Sequence, residues 1–520
     1  MHPISACNKN VLRLSVLAAS VVLALFFWQG RAGFTLWDEG YLWYGAQRVM
    51  LGEVPIRDFS AYDPGRYYWS AALMWAWGDN GIMALRGATA IFQAMGLFAG
   101  LFLISRTAKA ADRPDRLYLL LSAAVLVVWM FPRHKLFDIS LSISLIGALA
   151  FLVENPSRKR YFFTGACIGL AAIFGRNHGI YGVAGSVGVF VWLNIKRTNG
   201  PGILKNFASW LAGVVVGFTP MLLMTLLVPG FALAFWEGIR FLFEIKATNL
   251  PLPVPWPWRV NLASSTVGDA ARGVLIGLFF IGTVVFGVLS IMWVVWQKLQ
   301  NRPVSPVLVA ASMMALPYAH YAYSRADVGH LALGIFPLLI GCLAILSAQA
   351  AMVKWPAALA LCTASFWVMH IFHPGWQCHV GKRCVSMEIS GSYLQMDRGT
   401  ASDIALLRSL ADLYARNEGS FIATPVWPGA YPLLERKSPM WEIYALFPRP
   451  REFERAEIER IKSARPGFVL VFDLPLDGRD ELRFRNTHPL THQYILDNFE
   501  PLPDSPNPAY RTFKAKDAAQ

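Results

Sequence analysis

Long apolar runs separated by short polar connectors organise this chain from its beginning to about position 371. They fall near 11–28, 81–105, 117–131, 139–153, 161–175, 180–194, 206–229, 271–297, 304–320, 331–348 and 355–371, and each predicts a membrane-spanning helix. The connectors alternate in character. Arg106, Lys109, Arg113 and Arg116 follow the second run; Arg158, Lys159 and Arg160 the fourth; Lys196, Arg197 and Lys205 the sixth; Lys298 and Arg302 the eighth; Lys354 the tenth. Basic residues collect on the cytoplasmic side of membrane proteins, so these connectors belong on the inside together with the N-terminus. Eleven crossings from there leave everything after about Phe372 outside. Segment 66–77 is apolar but short, and predicts an interfacial helix within the first outer loop.

The first run follows Lys9 and Arg13 and leads into Gln29, Gly30 and Arg31, with no A-x-A pattern for cleavage, so it reads as an uncleaved signal anchor. Two hairpins are informative because they are short. A perpendicular crossing of a ~30 Å hydrocarbon core takes about 20 residues, yet 117–153 and 161–194 each hold two runs and a polar tip in fewer than two such crossings use. Their outward tips are Arg133-His134-Lys135 with Asp138, and Arg176-Asn177-His178. An ionised residue held in lipid costs roughly 2.5–3.5 kcal/mol on insertion scales, so the tips are expected below the outer surface in a water-filled cavity. Snorkelling of a single Arg to headgroups is the competing account.

Beyond 372 the pattern changes. Residues 401–416 place Ile404, Leu407, Leu410, Ala411 and Tyr414 on one helical face behind a Thr400 or Ser402 cap. A strand over 421–424, a charged helix over 452–464 and a strand over 467–472 complete a small α/β layer, and 504–520 reads as a disordered end.

Composition supports a lipid-embedded chain: 55% of the 520 residues are hydrophobic and only 15% charged, with mean hydropathy +0.40. A soluble chain carries about a quarter charged residues. The net charge of +14 is accounted for by membrane orientation, with some left for anionic lipid or substrate, and implies no nucleic-acid partner. Of six cysteines, Cys167, Cys342 and Cys362 lie in the runs and Cys7 inside, whereas Cys378 and Cys384 fall outside, where a disulfide is permitted. A zinc site with His373 and His379 is the alternative; the spacing fits no standard zinc pattern.

The first outer loop is the richest in chemistry: Trp37-Asp38-Glu39-Gly40-Tyr41, Arg57-Asp58-Phe59, and Tyr62-Asp63-Pro64-Gly65-Arg66-Tyr67-Tyr68-Trp69. Asp38 and Glu39 sit within ten residues of the first run, held at the membrane surface. There a carboxylate can accept a proton from a hydroxyl while a lipid-borne substrate lies alongside. The structural alternative is an N-cap, with Asp38 starting the helix that carries Tyr41, Tyr44 and Gln47. The aromatic residues either form an interfacial belt or stack on sugar rings. A last outer cluster, Tyr321, Tyr323, Ser324-Arg325-Ala326-Asp327 and His330, is either an ion pair closing a turn or a phosphate site. The loop 230–260, with Trp236, Glu237, Arg240, Lys246 and the run Pro251 to Trp258, is a candidate lid.

The Asp38-Glu39 pair just after the first span, the amphipathic helix, Arg57-Asp58-Phe59 and Pro64-Gly65-Arg66-Tyr67-Tyr68 resemble the first loop of GT-C glycosyltransferases. The bacterial branch of protein mannosyltransferases, aminoarabinose transferases and Rgt lipopolysaccharide transferases is the most similar. The resemblance is clearest over about 30–110 and continues through the span count, the Gly175-Arg176 turn and an outer C-terminal domain. It implies a fold of about eleven transmembrane helices over 1–371, with the first outer loop at 29–80, and an extracytoplasmic α/β domain over 372–520. It implies transfer of a sugar, with inversion, from a polyprenyl-phosphate carrier to a lipid-linked glycan, lipopolysaccharide or protein acceptor on the periplasmic face of the inner membrane.

In that family the first acid of the pair is the proposed base, so the catalytic expectation falls on Asp38, with Glu39 beside it. The substrate-binding expectation covers Asp63, Arg66, Tyr67, Arg133, Arg176, His178, Arg325, Asp327 and His330. Many relatives carry Lys-Pro before the aromatic run, where this chain has Asp63-Pro64-Gly65-Arg66; Arg66 then substitutes, and Arg176 stands where relatives often have Lys. No cofactor is implied; relatives differ in metal dependence, and no ligand set for a divalent cation stands out. The rival readings are a transporter or lipid flippase, a polymer ligase and a binding-only receptor. No internal repeat of broken helices supports a transporter, and no G-x-G-x-x-G, P-loop or D-x-D supports a nucleotide-sugar donor.

Overall fold

Each of the eleven apolar runs is helical in the computed structural model, which describes residues 3–107, 115–196, 202–247, 249–503, 505, 507 and 509–516. Lys109, Arg113 and Arg197 of the basic connectors lie outside the described residues, as does the Cys7 side chain. In chain order, α1 (Pro3–Gln29) is followed by two helices of the first loop, α2 (Asp38–Met50) and α3 (Gly65–Trp77). Then come α4 (Ile82–Ser105), α5 (Arg116–Trp129), α6 (Leu136–Glu154), α7 (Arg158–Phe174), α8 (Arg176–Asn194) and α9 (Ile203–Leu227). The 230–260 loop contains α10 (Phe231–Ile245), and α11 (Val267–Leu299) and α12 (Pro306–Ser324) follow. The run 331–348 is two helices, α13 (Val328–Gly334) and α14 (Phe336–Ser347), bent by 54°. Pro337 explains the break, since it has no N–H to continue the helical ladder. The last run is α15 (Ala351–Met369).

Among the described residues six of these helices are long and apolar enough to cross a membrane, or seven if the bent pair is one span. The chain is a multi-pass membrane protein. The remaining runs are shorter or carry polar groups such as His178 and the Tyr318-to-Tyr323 segment, which lowers their apolar content.

By their internal contacts the residues divide into two compact units: Met1–Trp28, Thr89–Ala232 and Ala247–Trp376 in the first, and Gln29–Ala88, Leu233–Lys246 and Gln377–Gln520 in the second. Within the first unit, the helix ends that the charge pattern assigns to one side do meet. Arg106 and Arg160 both pair with Glu154, Lys354 with Asp115 at 3.3 Å, and the Thr107 and Ser347 hydroxyls lie 2.7 Å apart. The tips of the short hairpins meet as well, at Asp138 and His178.

Helices α7 and α9 approach more closely than side chains allow. A Cβ on Gly165 would lie 2.0 Å from the Trp210 carbonyl oxygen and one on Gly169 2.2 Å from that of Val214. Gly213 and Gly217 meet Phe162 and Ala166 in the same way, at 2.0 and 2.1 Å. Two facing G-x-x-x-G stripes thus bring the backbones together, the packing that replaces hydrophobic driving force in lipid. Overpacking costs about 1–3 kcal/mol even where side chains yield, and here backbone would have to move. Gly213→Leu is therefore expected to lower the thermal midpoint of the detergent-solubilised protein sharply, as read by size-exclusion after heating. Val215→Leu on the exposed face of the same helix should leave it unchanged.

The second unit carries two sheets. Strands β1 (Cys384–Ile389) and β2 (Ser392–Asp397) form an antiparallel hairpin that the sequence pattern did not predict. Next is α16 (Arg398–Tyr414), whose cap is Asp397, accepting from the Thr400 amide at 2.9 Å, rather than Thr400 or Ser402. Then follow β3 (Phe421–Thr424), α17 (Ala430–Leu433), α18 (Arg451–Ala464), β4 (Phe468–Phe472), α19 (Phe484–Thr487), α20 (Pro489–Asn498), β5 (Phe499–Pro501) and β6 (Tyr510–Ala515). The four-stranded sheet runs β3-β4-β6-β5, with β3 and β4 parallel. Its third strand comes from the segment read as a disordered end. Tyr510, Thr512 and Phe513 are buried there, so alternate apolar positions outweigh the polar composition. Cys378 and Cys384 are bridged, and His373 is spent on the Val128 carbonyl at 2.9 Å, so the zinc alternative does not hold.

Candidate active site

The second unit holds the acidic pair. Chain entry into α2 puts Asp38 and Glu39 in its first turn, where carboxylates suit the exposed N–H groups. The cap position itself is Trp37, so Asp38 is the first helical residue and not the cap. The two carboxylates then part. Glu39, 6% exposed, takes both nitrogens of a bidentate fork from Arg86: Nε to Oε1 at 2.8 Å and Nη2 to Oε2 at 2.7 Å. The same guanidinium donates to the Gly30 and Gly33 carbonyl oxygens at 2.7 and 2.6 Å. Arg86 thereby ties the chain leaving α1, the start of α2 and the start of α4. Sequence reasoning missed it, although a lone Arg inside an otherwise apolar run was the available signal.

Asp38 is half-buried and accepts from the Tyr444 hydroxyl at 3.3 Å. The rings of Tyr62 and Tyr444 flank Tyr41 at 4.9 and 5.4 Å, and the Arg66 guanidinium lies 5.0 Å from the Tyr62 centroid. Arg66 and Asp63 are buried, on and just before α3. The Tyr67 hydroxyl accepts from the Tyr62 amide at 3.1 Å, and its ring fills the space a Cβ on Gly45 would need, 2.2 Å away. Tyr67 is thus a packing residue of the α2–α3 pair. Gly40 has a similar part: a Cβ there would lie 2.4 Å from the Gly429 Cα, so the first turn of α2 packs directly on the 427–430 turn. From the 230–260 loop, Phe241 of α10 lies over the Arg449 guanidinium at 3.6 Å, and Arg449 in turn pairs with buried Glu442, which His488 also contacts.

Two carboxylates hold the rest of the loop. Hydrogen bonds from Arg57, both at 2.8 Å, outweigh partial burial and hold the Asp58 carboxyl below its ordinary range, with the Val54 amide adding to the effect. At Glu53 burial opposes ionisation, but the hydrogen bonds from Arg48 and Lys437 prevail and its pKa is also lowered. Groups depressed on folding contribute stability above their unfolded values, about 3.9 for Asp and 4.3 for Glu, and lose it as pH falls through the folded ones. Amide-exchange protection over 53–60 is therefore expected to stay level from pH 7 to 5 and to fall below about pH 4.

The first unit holds the other predicted residues. Arg133 sits in the 133–135 turn between α5 and α6, and Arg176 opens α8; both are half-buried. Asp138, in the first turn of α6, accepts from His178 Nε2 at 3.0 Å and from the Tyr321 hydroxyl at 3.3 Å. A carboxylate only accepts, so the imidazole proton lies on Nε2, and in the neutral ring Nδ1 accepts from the Tyr318 hydroxyl at 2.7 Å. His178 and Tyr318 are fully buried. Arg325 Nε pairs with Asp327 Oδ2 at 2.9 Å, while Asp327 Oδ1 accepts from the amide and Nδ1 of His330. Asn249 reaches His330 Nε2 at 3.1 Å and the Ser324 hydroxyl at 3.3 Å. The ion-pair account of this turn thus describes its geometry, and Tyr321 connects it to Asp138. Tyr318 had no sequence signal beyond being polar near the end of an apolar run, and Asn249 none beyond being polar in the 230–260 loop. Among the described residues no group of three or more His, Cys, Asp and Glu is arranged to hold a metal ion.

No protein-family model and no curated protein matches the sequence. Solved structures do. The chain resembles ArnT from Cupriavidus metallidurans bound to undecaprenyl phosphate, at 12% identity and TM-score 0.54 over 97% of this chain and 98% of that one. The apo form of the same protein matches at 13% and 0.55, over 98% of each chain. The archaeal oligosaccharyltransferase AglB from Archaeoglobus fulgidus, in complex with an inhibitory peptide and a dolichol-phosphate, matches at 11% and 0.50, over 97% of this chain and 74% of that one.

Proposed function

We propose that this chain, which has the GT-C fold, is a membrane glycosyltransferase that moves a sugar from a polyprenyl-phosphate carrier to an acceptor hydroxyl on the outer, periplasmic face. The observation that carries the reading is the likeness along nearly its whole length to a protein solved with undecaprenyl phosphate. The split fate of the acidic pair supports it: Glu39 is committed to Arg86, whereas Asp38 is half-buried and accepts from Tyr444, one of three tyrosines whose rings pack together. The reading includes eleven crossings, an inside N-terminus, an outer tail and a lipid-linked glycan, lipopolysaccharide or protein as acceptor.

In the reaction, an Asp38 carboxylate oxygen takes the acceptor's hydroxyl proton. The acceptor oxygen forms a bond to the anomeric carbon, the bond from that carbon to the phosphate oxygen breaks, and the electron pair leaves with the phosphate, inverting the centre. Arginine suits the departing phosphate because its planar fork bonds two oxygens; Arg66, Arg133, Arg176 and Arg325 are the candidates, to be tested singly. The scheme needs no cofactor, and EDTA-treated protein is expected to retain transfer; loss of transfer restored by a divalent cation would overturn that part. Incubation of the purified protein with defined polyprenyl-phosphate sugars and acceptors tests the whole. Glycosylated acceptor of inverted configuration is expected; movement of the lipid-linked substrate across a vesicle membrane without transfer would make the chain a flippase instead.

A further inference from the structure

The second unit has a groove of about 680 Å³ lined by the 436–441 segment, the C-terminal half of α18, Asp58, Glu418 and Ser420. That is within the range of small-ligand sites, roughly 300–1,000 Å³. Most charges along it are already matched: Lys437 with Glu53 at 2.7 Å, Arg460 with Glu457, Glu459 with Lys462 at 2.7 Å, and Asp58 with Arg57. Two lining charges are not matched in this way: Glu418, which is exposed, and Arg436. Arg436 lines the groove half-buried and makes no side-chain hydrogen bond or ion pair with any described residue. The Ser420 hydroxyl, also in the lining, is buried without a hydrogen-bond partner among the described residues.

The groove also has a fixed aromatic wall. The Trp441 indole nitrogen donates to the Ile56 and Arg57 carbonyl oxygens at 3.1 and 3.2 Å, and the Trp441 carbonyl accepts from the Ser60 amide at 2.8 Å. The ring also packs edge-on against Phe453, with centroids 5.9 Å apart, and lies 5.9 Å from the Arg449 guanidinium; an indole held in this way loses little further freedom on binding. Ring, hydroxyls and paired carboxylates match the mixed apolar and hydroxylated faces of a sugar, and the unmatched guanidinium calls for an anion at one end.

We infer that this groove binds a saccharide bearing an acidic group, carboxylate or phosphate, with Arg436 on the anion and Trp441 against a ring. The inference does not depend on Asp38, and its test involves no turnover. Saturation-transfer NMR and calorimetry on the full chain in nanodiscs would compare a glucuronic-acid-containing disaccharide, glucose 6-phosphate and uncharged maltose. At least one acidic sugar is expected to bind more tightly than maltose, and the two acidic probes tell carboxylate from phosphate. Arg436→Ala should weaken that binding about tenfold or more, and Ser463→Tyr, which adds bulk at an exposed wall position, should block it with the thermal midpoint unchanged. Equal binding of maltose, indifference to Arg436→Ala, or no binding at millimolar concentration would each overturn the inference.

Discussion

Asp38→Asn is expected to reduce sugar transfer by about 10²–10⁴-fold, the usual worth of a positioned general base, in a protein whose thermal midpoint is unchanged. The substitution keeps the size of the side chain and an oxygen to accept from the Tyr444 hydroxyl, and no helix cap is lost because Asp38 is not one. What disappears is the charge that takes the acceptor's proton. Binding of the lipid carrier, measured separately on the purified variant, should persist. Full donor-dependent transfer by well-folded Asp38→Asn protein would remove Asp38 from the mechanism.

The adjacent carboxylate should behave in the opposite way. Glu39 and Arg86 have 7% and 2% of their side chains exposed, and removal of one partner from a buried ion pair costs about 3–5 kcal/mol because the other charge is stranded. Glu39→Gln and Arg86→Met are both expected to lose folded, monodisperse protein. Arg86→Met should be the worse, since the Gly30 and Gly33 carbonyls lose their donor as well. Replacing both with Leu and Met should recover much of the thermal stability, because an apolar pair of similar volume has no desolvation to overcome. Recovery of transfer in the double variant would establish Glu39 as a positioning residue. A stable double variant with no transfer would place Glu39 in the chemistry together with Asp38.

These two outcomes separate residues that the sequence presents as equals. Asp38 and Glu39 are consecutive acids after the first span, and nothing in their spacing ranks them. Helical geometry does: neighbours in sequence point about 100° apart on a helix, so in the first turn of α2 only one of them can face Arg86. The identity of that partner, 47 residues on, depends on how α2 packs against the start of α4, which no local pattern encodes. The same holds for His178, read from sequence as a tip residue. In the structure it is enclosed between Asp138 and Tyr318, contributed by two other helices.

What the sequence determined by itself was the set of apolar helices and their order, of which six, or seven with the bent pair as one span, are long and apolar enough to cross a membrane among the described residues. Lipid demands long uninterrupted apolar stretches, and that demand is written residue by residue, so all eleven runs are helical, the bent one included. The ends of the second and fourth runs, which the charge alternation places on one side, are in contact through Glu154 with Arg106 and Arg160. In the tail, strongly periodic α16 and α18 were legible, whereas the β1–β2 hairpin and β6 were not: short strands take their stability from partners distant in sequence, and β6 lies in a segment of polar composition. Tertiary structure alone decided which polar side chains are committed to holding the fold. A buried charge has to find a partner: Glu39 finds Arg86, Asp138 finds His178 and Glu442 finds His488, each at least 40 residues away in sequence.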